Sequence, residues 1–75
     1  MIVRFSKHAR DRSRERSISK ETIRRALANP DKIKHLEGDK FLCYSETNGK
    51  KLVVVFLKSK EFITVITLYY EDYIR

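Results

Sequence analysis

The sequence has little of what several special classes of protein require. Of its 75 residues, one is cysteine, one is proline, two are glycine and none is tryptophan. The single cysteine, Cys43, excludes an intrachain disulfide, and nothing in the sequence indicates a cysteine-based zinc site. With 41% hydrophobic and 36% charged residues, the composition is not that of a disordered or fibrous chain. Since domains have roughly 100–200 residues each, we expect a single small domain over residues 1–75.

Long apolar segments are also missing. The longest run, Leu52–Leu57, has six residues, whereas a membrane-spanning helix needs about 18 or more. The first residues of the chain lack the apolar core of a signal peptide. We therefore expect no membrane association and a cytoplasmic location.

Positive charge is abundant and concentrated in one half of the chain. The net charge is +7, and residues 1–30 contribute +6 of it. Seven of the eight arginines lie between Arg4 and Arg25. A concentrated basic region is typical of proteins that bind polyanions. We favour nucleic acid over an anionic membrane, because a membrane-binding helix also needs a strongly apolar face, which this region lacks.

The first 30 residues predict one strand and two helices. Residues 2–5 are expected to form a short strand. Ser6 is a suitable N-cap for a helix over residues 7–16, and Ser19 for a second helix that ends at Asn29-Pro30. Ile18 and Ile23 flank the second cap as a hydrophobic staple does.

After Pro30 the hydrophobic period changes from helical to two, which indicates strands. The apolar run at 52–57 is expected at the centre of the sheet, and Asn48-Gly49 is a strong hairpin signal. The fold class is therefore α+β: a short N-terminal strand, two helices on one sheet face, and a four-stranded antiparallel meander. The four strands are expected at residues 33–36, 41–46, 52–57 and 62–70, with turns at 37–39, 48–49 and 59–60.

Three basic side chains repeat at helical spacing. His8, Arg12 and Arg16 occupy positions i, i+4 and i+8, which lie on one face of a helix. Like charges at this spacing repel by a few tenths of a kcal/mol per pair, so a bound anion would stabilise the arrangement. Arginine holds phosphate in a bidentate fork, and histidine titrates near neutral pH. The same pattern also fits a solvated basic helix with no ligand.

These residues belong to a longer pattern. The segment Phe5-Ser6-Lys7-His8-Ala9-x-x-Arg12-x-x-x-Arg16-x-Ile18-Ser19 resembles the opening of a small prokaryotic domain family of unassigned function. Later matches to that family are Asn29-Pro30, the run at 52–57 and residues 66–69. Ser13 stands where the family usually has an apolar residue, and Ser17 where it usually has glycine. The layout is similar to that of RelE/barnase-like RNase toxins.

The resemblance implies a RelE-like fold and a metal-independent endoribonuclease of a toxin–antitoxin system, without a cofactor. Arg12 and Arg16 would hold the phosphate and His8 would act as general acid or base. Thr67 and Tyr69 would complete the catalytic site from one face of the last strand, while alternation places Thr64, Leu68 and Tyr70 on the other. A second acid or base would have to be Tyr69, Tyr44 or His35. Further candidate nucleic-acid contacts are Arg10, Arg14, Arg24, Arg25, Lys50 and Lys51.

The expected partners are RNA, an acidic antitoxin protein and a second copy of the chain, because two short helices cover little of a four-stranded sheet. Two other functions stay open: a nucleic-acid-binding module without catalysis, and a basic protein-interaction domain. His35 is expected to be exposed and idle on an edge strand. Cys43 is expected to be a small buried hydrophobe. No metal site is expected from His8, His35, Asp39 and Cys43, because their spacing matches no known ligand set.

Overall fold

Two serines begin the two helices of the protein, as predicted. The structure is a computed structural model and describes residues 2–47 and 49–71. Helix α1 spans Lys7–Glu15, and the Ser6 hydroxyl accepts a hydrogen bond from the Ala9 N–H at 3.0 Å. Helix α2 spans Lys20–Ala28, and the Ser19 hydroxyl accepts one from the Thr22 N–H at 3.0 Å. Each hydroxyl satisfies an N–H that has no partner within its own helix. Among the described residues, no helix is long and apolar enough to cross a membrane.

The turn between the helices contains a residue in the left-handed region. Ser17 has φ +56, a conformation that costs an L-residue with a side chain roughly 1–2 kcal/mol. Glycine, which is usual here in the family that the sequence resembles, would avoid this cost. The Ser13 hydroxyl donates to the Ile18 carbonyl, and the Ser13 carbonyl accepts from the Ile18 N–H at 2.9 Å. Ser13 thus closes the turn with hydrogen bonds, at a position where the family that the sequence resembles usually has an apolar side chain.

The strands form one mixed five-stranded sheet in the order β1-β5-β4-β3-β2. Strands β2 to β5 pair antiparallel, as predicted, and β1 pairs in parallel with β5. Gly38 and Gly49 have φ +55 and +78 in the β2–β3 and β3–β4 turns, a region that glycine enters without steric cost. Asn48, predicted in the second turn, lies outside the described residues. The strands are β1 (Ile2–Phe5), β2 (Lys32–Glu37), β3 (Lys40–Thr47), β4 (Lys50–Lys58) and β5 (Phe62–Glu71).

The core lies between the two helices and one face of the sheet. Ile18 and Ile23 are both buried, as the predicted staple requires, and pack with Leu52 and Val54 of the central strand β4. Cys43 is 1% exposed and belongs to the same cluster, so its prediction as a small buried hydrophobe is confirmed. Desolvation by burial raises the pKa of its thiol to about 11.

The helices leave one edge of the sheet uncovered. Every residue of β2 is exposed, and its two large aliphatic side chains, Ile33 and Leu36, are 55% and 41% exposed. This agrees with the expectation that two short helices shield only part of the sheet. The homodimer and the acidic antitoxin stay predictions.

A β-bulge in β5 changes which side chains share a face. Val55 pairs with Thr67 and Phe56 with Val65, so Ile66 is the extra residue. The prediction that Thr64 shares a face with Leu68 and Tyr70 is therefore wrong. Thr64, Thr67 and Tyr69 all lie on the sheet face away from the helices, which we call the open face, whereas Leu68 and Tyr70 pack with the core.

The bulge also anchors helix α1 beside β5. The Ser6 N–H donates to the Val65 carbonyl and the Ser6 hydroxyl donates to the Ile66 carbonyl, both at 3.0 Å. Strand β1 pairs only with residues 62–65 of β5. Past that point, in the described part of the chain, α1 rather than a strand lies along this side of β5. The second half of α1 therefore meets the second half of β5.

Candidate functional site

A surface cleft of about 320 Å³ lies where α1 meets β5. Its walls are Arg12 and Arg16 from the helix side and residues 67–70 from the strand. Four of the five predicted catalytic residues, Arg12, Arg16, Thr67 and Tyr69, are thus brought to one place. Whether they catalyse a reaction stays a prediction, but their proximity follows from the bulge contacts of Ser6.

The fifth predicted residue, His8, lies beside the cleft and contacts it through Arg12. Arg12 Nε donates to His8 Nε2 at 3.5 Å, and Arg12 Nη1 lies 3.4 Å from Glu15 Oε1. His8 is exposed and is not among the residues that line the cleft. His8 and Arg12 are therefore in contact, one helical turn apart.

The positive charge of the cleft comes from side chains. Arg16 is the C-cap of α1, and its N–H donates to the Arg12 carbonyl at 2.9 Å. The C-terminal end of a helix carries partial negative charge, which favours both guanidinium groups there. The two guanidinium groups at this cleft each present paired N–H donors, which match the oxygens of a phosphate or carboxylate.

Other charges on α1 are neutralised locally. Asp11 Oδ2 accepts from Lys7 Nζ at 3.1 Å, and Asp11 Oδ1 accepts from Arg14 at 3.0 Å. These hydrogen bonds, that from Lys7 first, lower the pKa of the Asp11 carboxyl. The side of α1 that carries Lys7 and Arg14 is therefore less positive than a count of its cations suggests.

The six predicted nucleic-acid contacts do not form one patch. Lys50 contacts a residue that lines the cleft, with Nζ 5.2 Å from the centre of the Tyr70 ring. Arg25 pairs with Glu21 at 3.7 Å on α2, away from the cleft. Two of the remaining arginines, both on α1, form hydrogen bonds: Arg10 donates to the Phe5 carbonyl at 3.0 Å, and Arg14 donates to Asp11. The other two residues lie over rings: the Arg24 guanidinium is 5.6 Å from the Phe5 ring centre, and Lys51 Nζ is 4.7 Å from the Tyr44 ring centre.

His35 is exposed on an edge strand, as predicted, but it has partners. Its Nε2 lies 2.8 Å from the Gly38 carbonyl oxygen, and its ring centre lies 4.7 Å from that of Phe41. Strand β2 is at the opposite edge of the sheet from β1, so His35 is remote from the cleft. It does not provide the second acid or base there.

A second cleft, of about 290 Å³, lies on the open face and was missed in the sequence. It is lined by Asp31, Lys32, Tyr44, Glu46 and Lys51. Tyr44 entered the sequence analysis only as an alternative acid or base. The alternation of Lys32, Ile33 and Lys34 indicates two lysines on one strand face, but only the register shows that this is the open face.

No three histidine, cysteine or acidic side chains cluster as metal ligands within residues 2–47 and 49–71.

The chain matches one protein-family model. The model is described as a domain of unknown function (DUF4258), and it matches residues 5–70. No curated protein and no solved structure matches the chain. The matched segment contains every residue that lines the two clefts.

Proposed function

The chain belongs to this family of unknown function, and we propose from its α1–β5 cleft that it is a metal-independent endoribonuclease. The observation that supports the proposal is the convergence of Arg12, Arg16, Thr67 and Tyr69 on one cleft. The cleft would take a backbone phosphate of single-stranded RNA. The proposal includes the toxin role expected from the sequence, with an acidic antitoxin as partner.

The phosphate would be bound by complementary charge and hydrogen bonds. Guanidinium groups bind phosphate oxygens through paired N–H donors. Arg12 and Arg16 repel each other in the free protein, and an anion between them removes that cost. The Thr67 hydroxyl is a further donor. Tyr69, 40% exposed on the open face, offers a ring on which a neighbouring base stacks.

The reaction would be an internal transfer of the phosphoryl group. A base removes the proton of the ribose 2′-OH, and the 2′ oxygen attacks the adjacent phosphorus. The bond from phosphorus to the 5′ oxygen breaks, and that oxygen takes up a proton. The products are a 2′,3′-cyclic phosphate and a 5′-OH. Arg12 and Arg16 would stabilise the charge that develops on the non-bridging oxygens.

His8 is the group suited to the proton transfer. In the free protein its Nε2 accepts from Arg12 Nε. When Arg12 turns to a phosphate in the cleft, the Nε2 lone pair becomes available to accept a proton. General acid–base catalysis of this kind contributes typically 10²–10⁴-fold.

The test is cleavage of labelled RNA by the purified protein in excess EDTA. We expect cleavage, products that end in 2′,3′-cyclic phosphate, and no cleavage at a position with a 2′-deoxyribose. The Arg12→Ala, Arg16→Ala double variant should be inactive, and the Lys20→Gln, Lys58→Gln variant, with the same loss of charge elsewhere, should be active. Cleavage at the 2′-deoxy position, or none by the wild type in EDTA, would contradict the proposal.

One observation favours a second function, RNA binding without catalysis. His8 is exposed and lies outside the cleft walls, an arrangement that a binding module tolerates. Salt-dependent RNA binding that needs Arg12 and Arg16, without any cleavage, would support this function over the first.

A further inference from the structure

The second cleft lies in line with the first across the open face. Tyr44 of β3 pairs with Val53 of β4, and Val53 pairs with Tyr69 of β5. The three residues form one row across the sheet. Tyr69 belongs to the cleft of Arg12 and Arg16, and Tyr44 to the cleft of Lys32 and Lys51. Each end of the row therefore has a tyrosine and two cations.

The two clefts differ in their acidic groups. The second cleft contains the carboxylates of Asp31 and Glu46 beside Lys32 and Lys51, so its formal charge is close to zero. A phosphate gains little there, because the carboxylates repel it. A nucleobase fits better: its face stacks on a tyrosine ring, and its amino group donates to a carboxylate.

Hydrogen bonds tie Asp31 to the backbone of β3 at the second cleft. The Asp31 N–H donates to the Tyr44 carbonyl at 2.8 Å, and Asp31 Oδ2 accepts from the Glu46 N–H at 3.0 Å. Lys51 Nζ lies 4.7 Å from the Tyr44 ring centre and 4.0 Å from Glu71 Oε1. Asp31 is therefore fixed beside Tyr44 and Glu46, and Glu46 is exposed.

The distance between the clefts suits one continuous strand. Paired Cα atoms in antiparallel strands are about 4.5–5.5 Å apart, so the Cα atoms of Tyr44 and Tyr69 are separated by roughly 10 Å. Stacked nucleotides rise about 3.4 Å each along a strand. About two or three nucleotides therefore cover the distance, without a bend around the sheet.

We propose that the second cleft binds a nucleobase of the same RNA strand whose phosphate is held by Arg12 and Arg16. It prefers cytosine or adenine, whose exocyclic amino group donates to Glu46, over uracil, which has a carbonyl at that position. The inference rests on the proposed function for the presence of an RNA strand, but it does not depend on cleavage.

The test uses octamers with 2′-O-methyl ribose, which cannot undergo attack by the 2′ oxygen. Binding of oligocytidine, oligouridine and an abasic octamer is measured by fluorescence anisotropy. Tyr44→Leu should weaken oligocytidine binding at least about fivefold, because stacking on an aromatic ring is worth that much or more, and should leave abasic binding unchanged. Phe62→Leu, the matched loss of a ring at the far end of the open face, should change neither.

Specificity gives the second readout. The wild type should bind oligocytidine more tightly than oligouridine, and Glu46→Ala should bind the two equally. An equal loss of cytidine and abasic binding in Tyr44→Leu, or an unchanged preference in Glu46→Ala, would overturn the base site.

Failure of the base site is distinguishable from failure of the proposed function. The Arg12→Ala, Arg16→Ala variant should weaken binding of all three octamers, including the abasic one. If abasic binding is unchanged in that variant, the phosphate cleft is wrong, and the Tyr44 and Glu46 variants still decide the base site. Absence of binding by the wild type to all three octamers would overturn both.

Discussion

Arg12 Nε lies 3.5 Å from His8 Nε2, and the same guanidinium forms a wall of the α1–β5 cleft. One side chain thus connects a titratable ring to the place where an anion would bind. In the proposed function, a phosphate in the cleft would compete with His8 for Arg12, so binding and proton transfer would be coupled through this contact.

His8→Ala should lower RNA cleavage by at least about 10²-fold and leave RNA binding largely intact. The reason is that a general acid or base contributes about that factor or more, while the phosphate contacts belong to Arg12 and Arg16. Single-turnover cleavage and filter binding measure the two effects. His35→Ala is the matched control, because His35 is exposed at the opposite edge of the sheet; it should cleave at the wild-type rate. A folded His8→Ala protein with full activity would end the acid–base assignment.

Loss of both cleft arginines should change the salt dependence of RNA binding. Each phosphate contact on a single strand contributes about 0.7 to the slope of log affinity against log salt. Arg12→Ala with Arg16→Ala should therefore flatten that slope by roughly one to two units. Lys20→Gln with Lys58→Gln removes the same charge from the helix side of the domain. If the two pairs flatten the slope equally, the phosphates are bound elsewhere.

Ser17→Gly should raise the free energy of unfolding by about 0.5–1 kcal/mol. Ser17 has φ +56, where glycine avoids the steric cost of a side chain but loses more conformational freedom on folding. Urea unfolding measures the change. Ser17→Ala retains the Cβ and should not stabilise the protein. Equal effects of glycine and alanine would mean that the left-handed turn is not strained.

The stability of the protein should fall with rising pH in a window set by Cys43. Burial raises the pKa of its thiol from 9.0 to about 11, so between these values the unfolded state loses a proton that the folded state keeps. Ionisation then favours unfolding, by at most about 1.4 kcal/mol per pH unit. Below pH 9 this contribution to stability is fully present.

Cys43→Ala isolates this effect from other titrating groups. All other ionisable groups are common to both proteins, so the difference between the two stability curves belongs to the thiol. We expect the wild type to lose stability more steeply than Cys43→Ala between pH 9 and 11, as measured by urea unfolding. Parallel curves would contradict the assignment.

The sequence by itself determined the order of the elements and the boundaries of the helices, whereas the observed strands extend one or two residues beyond most of the predicted ends. The helix start and stop signals, Ser6, Ser19 and Asn29-Pro30, act within a few residues. The predicted helix ends therefore lie within one residue of the observed ends. The change of period after Pro30 and the glycines of the two hairpins set the antiparallel order of β2 to β5, because short turns allow only neighbouring strands to pair. The grouping of Arg12 and Arg16 on one side of α1 also follows from local spacing.

Only the tertiary structure decided where those arginines point and what faces them. Strand β1 pairs with β5, although the two strands lie near opposite ends of the sequence. This pairing brings α1 to the side of β5, where packing and the free edge of the sheet hold it. The bulge at Ile66 reverses the alternation that placed Thr64 with Leu68. No residue type in the strand predicts this bulge. The row from Tyr44 through Val53 to Tyr69 depends on the register of three strands, which is fixed by the buried face as a whole. Sites built from residues so distant in sequence exist only once these long-range contacts have formed.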